Sequence, residues 1–246
     1  MRSQPLTLVL TLLLVGSMVA ALDSGHDTSA SASTAAQDAG GGRTFLPLAL
    51  GQYAPRTPGH LGYGANIASA DHVTYLTEMG FDWAKGWVTW EHAGRGTAYD
   101  WTAVDNQLRE FVPHVRHVLL RVSGQTGITS PPVTAGDRAA FEAFCQALAA
   151  HVSETWRAQG LDTVAYEIWN EPNLGYEWGG QPSAAQYTAL LQAGYRGIKA
   201  GDPQAIVVSA GLATTGGSLT DLAWARRFYG AAQVVPDLTF LRDMYR

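Results

Sequence analysis

The sequence predicts an α/β fold of the (β/α)8 TIM-barrel type, incomplete, with about five of the eight βα units present. Three observations carry that reading. From residue 63 onward, short apolar or β-rich runs alternate with amphipathic helical stretches, the pattern of parallel strands joined by right-handed crossovers. The first run, in Gly62-Tyr-Gly-Ala-Asn-Ile, is not followed by Gly-x-Gly-x-x-Gly, so the phosphate-cradling turn of a doubly wound dinucleotide fold is missing and a barrel is favoured. The segment Val164–Trp178 (VAYEIWNEPNLGYEW) places a carboxyl group at the carboxyl end of a strand, the face on which barrels gather polar residues from different units.

Taken in order, the chain opens with residues 1–22, which read as an export signal: Arg2 is the positive end, Leu6 to Val15 the apolar run, and Val19-Ala20-Ala21 the small-residue cleavage pattern. The run is short for a spanning helix, which needs about 20 apolar residues. The expectation is a secreted or extracytoplasmic protein, with an uncleaved N-terminal anchor as the alternative and no other membrane association. Residues 23–44 are Ser, Thr, Ala, Gly and Asp without periodicity and cannot bury enough apolar surface to offset their ordering entropy, so they read as a disordered linker. The fold is expected over 45–246.

Within it, strands are expected over Tyr63–Ile67, Asp82–Thr89, His117–Ser123, Thr163–Asn170 and Ala205–Ser209, followed by a helical stretch over Pro236–Arg246. Thr102 with Asp105, and Ser183 with Gln186, have capping-box spacing at helix starts. Gly80, Gly160 and Gly201 stand where a helix stops in a left-handed conformation, with Pro203 beyond the last of them. Phe141, Phe144, Cys145, Leu148, Val152 and Trp156 recur at three-to-four spacing, as do Tyr187, Leu190, Leu191, Gly194 and Ile198, giving each helix one apolar stripe.

Composition narrows the function classes. With 16 Lys+Arg against 21 Asp+Glu, a net charge of −5 and no basic block, the chain is not built to neutralise a phosphate backbone, and no nucleic-acid partner is expected. One cysteine, Cys145, rules out an internal disulfide and a thiolate-rich metal cluster; on the buried stripe it reads as a small hydrophobe. His114 and His117 have metal-ligand spacing but straddle a helix end and a strand start without a third ligand, so neither a metal nor another cofactor is expected. There is no Gly-x-Ser-x-Gly elbow for a serine hydrolase. The Gly-rich stretch from Gly211 to Ser218 reads as a rim loop after the fifth strand. Eight Trp and ten Tyr in a chain this poor in charge supply either core or stacking surface.

Pro172 ends the regular run after Val164–Asn170 and biases Glu171 towards extended geometry. A carboxyl group there, beside Asn170 and among Trp169 and Trp178, has surroundings that disfavour its charged form and suit a general acid; the alternative is a carboxylate that only caps the following loop. Asp100 reads as a helix N-cap, and Glu91 and Glu177 are the other acids near this face.

Trp169-Asn-Glu-Pro-Asn-Leu resembles the fourth-strand signature of the retaining glycoside hydrolases built on (β/α)8 barrels, clan A. With Trp178 and the helix opening Ser183–Tyr187, it is most similar to families 39 and 5. Gly80-Phe-Asp-Trp-Ala-Lys, Val88-Thr-Trp-Glu, Tyr99-Asp-Trp and Asp105 are similar to the second βα unit of these enzymes, and His117–Ser123 to their third strand; the resemblance spans Leu61 to Arg246. It implies hydrolysis of an O-glycosidic bond in a β-linked oligo- or polysaccharide, with a carbohydrate as partner. Glu171 matches the general acid/base and Asn170 the amide that binds the sugar 2-hydroxyl.

Trp178 is a candidate stacking platform or a loop anchor. Trp87 and Trp90 are candidate cleft residues, with strand alternation burying at least one of them. Lys85 stands where relatives often carry Arg, and Arg121 either takes over that electrostatic role or pairs with Glu167. The nucleophile of these families is a Glu at the end of a seventh strand; it is expected beyond Arg246, together with the three remaining units, and no residue is assigned to it. A carbohydrate-binding or catalytically inactive barrel fragment is the alternative function.

Overall fold

The computed structural model describes residues 62–67, 72–90, 98–124, 130–215, 227 and 234–246, all within the compact unit His60–Arg246. The expected export signal, the expected linker and the expected start of the fold at 45–61 lie outside the described residues. Five strands alternate with helices: β1 (Gly64–Asn66), α1 (Val73–Glu78), β2 (Trp83–Thr89), α2 (Thr102–Phe111), β3 (His117–Ser123), α3 (Ala135–Trp156), β4 (Thr163–Ile168), α4 (Ala184–Gly201), β5 (Ile206–Ser209) and α5 (Asp237–Met244).

All strand pairs are parallel, and the sheet order is β1-β2-β3-β4-β5. A doubly wound sheet reverses its order at a switch point; a strictly sequential order with right-handed crossovers returns every helix to the same face, as in a barrel. Burial agrees. On one face Ala84, Val88, Val118, Leu120, Val122, Val164, Tyr166 and Ile168 are buried. The other face carries Lys85, Trp87, Leu119 and Arg121, all half-buried, and the buried Glu167. Trp87, Arg121, Glu167 and Val208 stand in register across β2 to β5, so that face is charged at mid-sheet.

The helical stripes seal the apolar face. Phe141, Phe144, Cys145, Leu148 and Val152 of α3, with Tyr187, Leu190 and Ile198 of α4, are wholly buried, each large apolar side chain contributing about 1.5–3 kcal/mol. The α3–α4 contact is close because α4 carries glycine where backbone meets backbone. A Cβ at Gly197 would stand 2.2 Å from the Glu142 carbonyl oxygen, and one at Gly201 2.2 Å from that of Gln146.

This corrects the expectation for Gly201: it ends α4 by close approach and not by a left-handed turn, whereas Gly80 and Gly160 do have φ of +71° and +105°. A second correction concerns the start of α2. Thr102 is its first residue and makes no side-chain cap, and Asp105 reaches away to His151 (2.7 Å) and the Trp156 indole N–H (2.9 Å), tying α2 to α3. At α4 the expected cap forms, with Ser183 Oγ accepting from the Gln186 N–H at 3.3 Å. Among the described residues, no helix is long and apolar enough to cross a membrane.

Candidate active site

The site grows from the carboxyl end of β4. The ladder continues one residue past the strand, with the Trp169 N–H donating to the Val122 carbonyl at 2.8 Å, and then the backbone turns left-handed at Trp169 (φ 73°) and again at Glu171 (φ 37°). The expected strand end at Asn170 and the extended geometry of Glu171 are thereby corrected. Proline disfavours the right-handed helical region for the residue before it, and the left-handed Glu171 is held by one bond to the loop after β5 and one within its own turn. The Glu171 N–H donates to the Gly211 carbonyl (3.2 Å), and its carbonyl accepts from the Leu174 N–H (2.9 Å). Two non-glycine residues at positive φ cost on the order of 1–3 kcal/mol each, the kind of strain that concentrates where a side chain must be aimed.

Asn173 holds the turn in place. Fully buried, it donates from Nδ2 to the carbonyls of Ala213 (3.0 Å) and Val235 (3.2 Å) and accepts at Oδ1 from the Ala213 N–H (2.9 Å). Its own carbonyl accepts from the Val235 N–H at 3.0 Å. One amide side chain thus ties the loop after β4 to the loop after β5 and to the segment entering α5. Tyr187 of α4 does similar work one step deeper. Its hydroxyl donates to the Ile168 carbonyl (3.1 Å) and accepts from the Ala210 N–H (2.6 Å), joining the ends of β4 and β5.

Four of the residues expected from sequence converge at this end of the sheet. Arg121 donates from Nη1 to Asn170 Oδ1 at 2.8 Å, and its guanidinium lies 6.0 Å from the Trp87 ring centroid. Trp87 is fixed by Gln107 of α2, whose amide accepts from the Trp87 N–H (2.8 Å) and donates to its carbonyl (2.9 Å), two residues past the β1 pairing that ends at Asn66↔Lys85. Gly86 makes room, since a Cβ there would collide with that amide. Asn170 donates from Nδ2 to Glu177 Oε1 at 2.9 Å. Glu171 is half-buried and near enough for the charges of Glu177 and Arg121 to act on it.

Burial, and next the negative charge of Glu177, push the Glu171 carboxyl above its ordinary value; Glu167 adds to the rise, while Arg121 and Lys85 oppose it. Arg121 itself is pushed down by burial, against the attraction of Glu167, Glu177 and Glu171. A carboxyl whose protonated form is favoured, beside an amide and a guanidinium, is suited to protonating a departing oxygen.

Trp178 does not join this group. It is 2% exposed, meeting Trp169 edge-on at 5.8 Å and Tyr187 edge-on at 5.8 Å, with its indole N–H on Gln186 (3.3 Å). The ring has no free face to stack on a ligand, so the loop-anchor alternative is the one that holds. Trp90 is likewise buried, edge-on to Phe141. Of the two alternatives for Arg121, the pair with Glu167 is not the one formed: Glu167 pairs with Lys85 at 2.5 Å and accepts from the Gly211 N–H at 3.1 Å, while Arg121 donates to Asn170.

Asp100 is exposed at the start of α2, accepting from the Thr102 N–H, and Glu91 and residues 216–218 of the Gly-rich stretch lie outside the described residues. His117 packs against Trp83, and no group of three metal-ligating side chains occurs among the described residues. Sequence reasoning places Glu177 among the acids near this face but does not pair it with Asn170, because its place two residues after Gly175 in a turn carries no periodic signal.

No protein-family model matches the chain, and no curated protein matches it. Solved structures do. A family 39 glycoside hydrolase from Bacteroides cellulosilyticus WH2 is 21% identical over 60% of this chain and 31% of its own, with a TM-score of 0.44. The GH39 enzyme from Xanthomonas axonopodis pv. citri is 22% identical over 71% and 38%, TM-score 0.46. The endoglucanase Cel5A from Thermotoga maritima is 16% identical over 66% and 54%, TM-score 0.46. The chain therefore spans less than two thirds of the length of each. At these identities and scores the likeness does not bear on activity, which must be read from the site's own residues.

Proposed function

We propose that this chain carries the proton-transfer half of a retaining glycoside hydrolase site, acting on an O-glycosidic bond in a β-linked oligo- or polysaccharide with Glu171 as general acid/base. The observation that carries the reading is the environment of Glu171. Its carboxyl is aimed by a left-handed turn at the end of β4 and biased towards the protonated form by burial and by Glu177. In the first step the protonated carboxyl delivers its proton to the leaving glycosidic oxygen as the C–O bond breaks. In the second, the resulting carboxylate takes a proton from the water that releases the sugar from the enzyme. Asn170, clamped between Arg121 and Glu177, has one Nδ2 hydrogen and one Oδ1 lone pair left for a sugar hydroxyl. That contact accelerates the step to the extent that it strengthens in the oxocarbenium-like transition state. Trp87 and Arg121 line the same end of the sheet.

The mechanism also needs a second carboxylate about 5–5.5 Å from the first to attack the anomeric carbon. The Glu that the resemblance implies at the end of a seventh strand has no counterpart among the described residues, and Glu177 is engaged by Asn170, so no residue is assigned to that role. The test compares leaving groups in the full-length protein. Glu171→Gln should lower kcat/KM by roughly 100-fold or more on glycosides with poor leaving groups, and far less on activated aryl glycosides that need no proton. Equal losses on both, or none, would remove Glu171 from the acid/base role. Saturable oligosaccharide binding without turnover in the full-length protein would replace the hydrolase reading with a binding one.

A further inference from the structure

Glu177 is an acidic group at this site that the proposed chemistry leaves unused, and its placement is specific. Its backbone carbonyl accepts the Trp169 indole N–H at 3.0 Å, which fixes the loop at that point, and its carboxylate accepts from Asn170 at 2.9 Å. Arg121 has only donors and an ionised carboxylate only acceptors, so an amide held between them has a single allowed orientation, with Oδ1 towards Arg121 and Nδ2 towards Glu177. Flipping it would set donor against donor and acceptor against acceptor. We propose that Glu177 is a positioning residue for the acid/base site, its carboxylate and Arg121 locking the Asn170 amide from opposite ends so that its remaining N–H meets the sugar hydroxyl beside Glu171.

This rests on the acid/base reading of Glu171 and adds a second duty. The groups facing Glu171 are Glu177 from the loop after β4, Arg121 from β3, Glu167 from β4 and Lys85 from β2. Lys85 is paired with Glu167, and the largest charge effect on Glu171 is that of Glu177, which accepts from the Asn170 amide. It therefore favours the protonated Glu171 that the first step requires, and burial acts in the same direction.

Two variants in the full chain separate the duties. Glu177→Gln keeps an oxygen to accept from Asn170 but loses the charge; Glu177→Ala loses both. Carbon-detected NMR of the Glu171 side chain should titrate at lower pH in both variants than in the parent protein. The Asn170 side-chain NH2 should exchange with water faster, by tenfold or more, in Glu177→Ala only. Where turnover is followed, the alkaline limb of kcat/KM should move to lower pH in both variants, with a further loss of roughly tenfold in Glu177→Ala from the freed amide.

A Glu171 titration unmoved by both variants would overturn the proposal, as would Asn170 exchange unchanged in Glu177→Ala. Either result leaves the acid/base reading standing. An ordinary Glu171 titration in the parent protein would instead overturn that reading.

Discussion

Replacing Tyr187 with Phe removes one oxygen and two hydrogen bonds while keeping the ring. The hydroxyl lies in a fully buried position between the Ile168 carbonyl and the Ala210 N–H, at 3.1 and 2.6 Å. Burial also pushes the phenol's ionisation up, so it is present as O–H throughout the working range and can donate and accept at once. The phenylalanine ring would retain its edge contact with Trp178 and its tilted contact with Phe240. The change therefore isolates the polar contribution.

Each buried backbone group left without a partner costs about 1–3 kcal/mol. The Ala210 N–H loses its acceptor, while the Ile168 carbonyl keeps a second lone pair for other donors, so a total of about 2–4 kcal/mol is expected. For a folded unit of this size that corresponds to a fall in Tm of about 5–15 °C. Urea unfolding, followed by Trp fluorescence, measures the midpoint and slope together, and a drop in midpoint at constant slope is the expected signature. A loss below about 0.5 kcal/mol would mean that the hydroxyl does not join the ends of β4 and β5 as described.

The Lys85–Glu167 pair sits on the charged face of the sheet with side-chain exposures of 21% and 8%. Breaking it by Lys85→Met should destabilise by about 2–4 kcal/mol, because Glu167 is left charged and nearly buried, whereas Lys85→Met with Glu167→Leu should recover most of that loss. Unfolding of the four proteins of the double-mutant cycle measures this, and additive losses would contradict a direct pair. Glu171→Gln should make the protein more stable at neutral pH. A carboxyl whose value is raised on folding is held back from ionising, so its ionised form destabilises the fold. The gain is full above the folded-state value of Glu171 and vanishes as pH falls through the unfolded-state value; stability curves across that range that stay parallel, or a variant less stable at neutral pH, would contradict the electrostatics described here.

Much of this architecture is written in local pattern. β3 begins and ends where its alternation says, at His117 and Ser123, because every second residue faces the apolar layer and the register leaves no other choice. That Trp87, Arg121, Asn170 and Glu171 come from the carboxyl halves or ends of neighbouring strands was legible too, since the strands of a parallel sheet all run one way. What was not legible depends on which partners the folded backbone brings into contact. Trp178 carries the same residue type whether it stacks on a ligand or anchors a loop, and only Trp169, Tyr187 and Gln186 around it decide the matter. Lys85 and Arg121 could each have paired with Glu167, and the choice was settled by which side chain reaches across two strands. Gly201 looked like a helix stop because glycine serves both turns and close contacts, and the Gln146 carbonyl that requires it lies on another helix. Left-handed backbone at Trp169 and Glu171 runs against local propensity altogether and is held by Val122, Gly211 and Leu174.

The central claim is that the fold holds Glu171 as a proton donor, and direct titration of its carboxyl tests it. In carbon-detected NMR of the full chain, the Glu171 side-chain signal can be assigned by its loss in Glu171→Gln. Its midpoint should lie above that of an unperturbed glutamate, about 4.3, as burial and the charge of Glu177 require. A midpoint at or below the unperturbed value would mean that Glu171 is ionised wherever the protein works, and the proton-transfer role assigned to the end of β4 would fall with it.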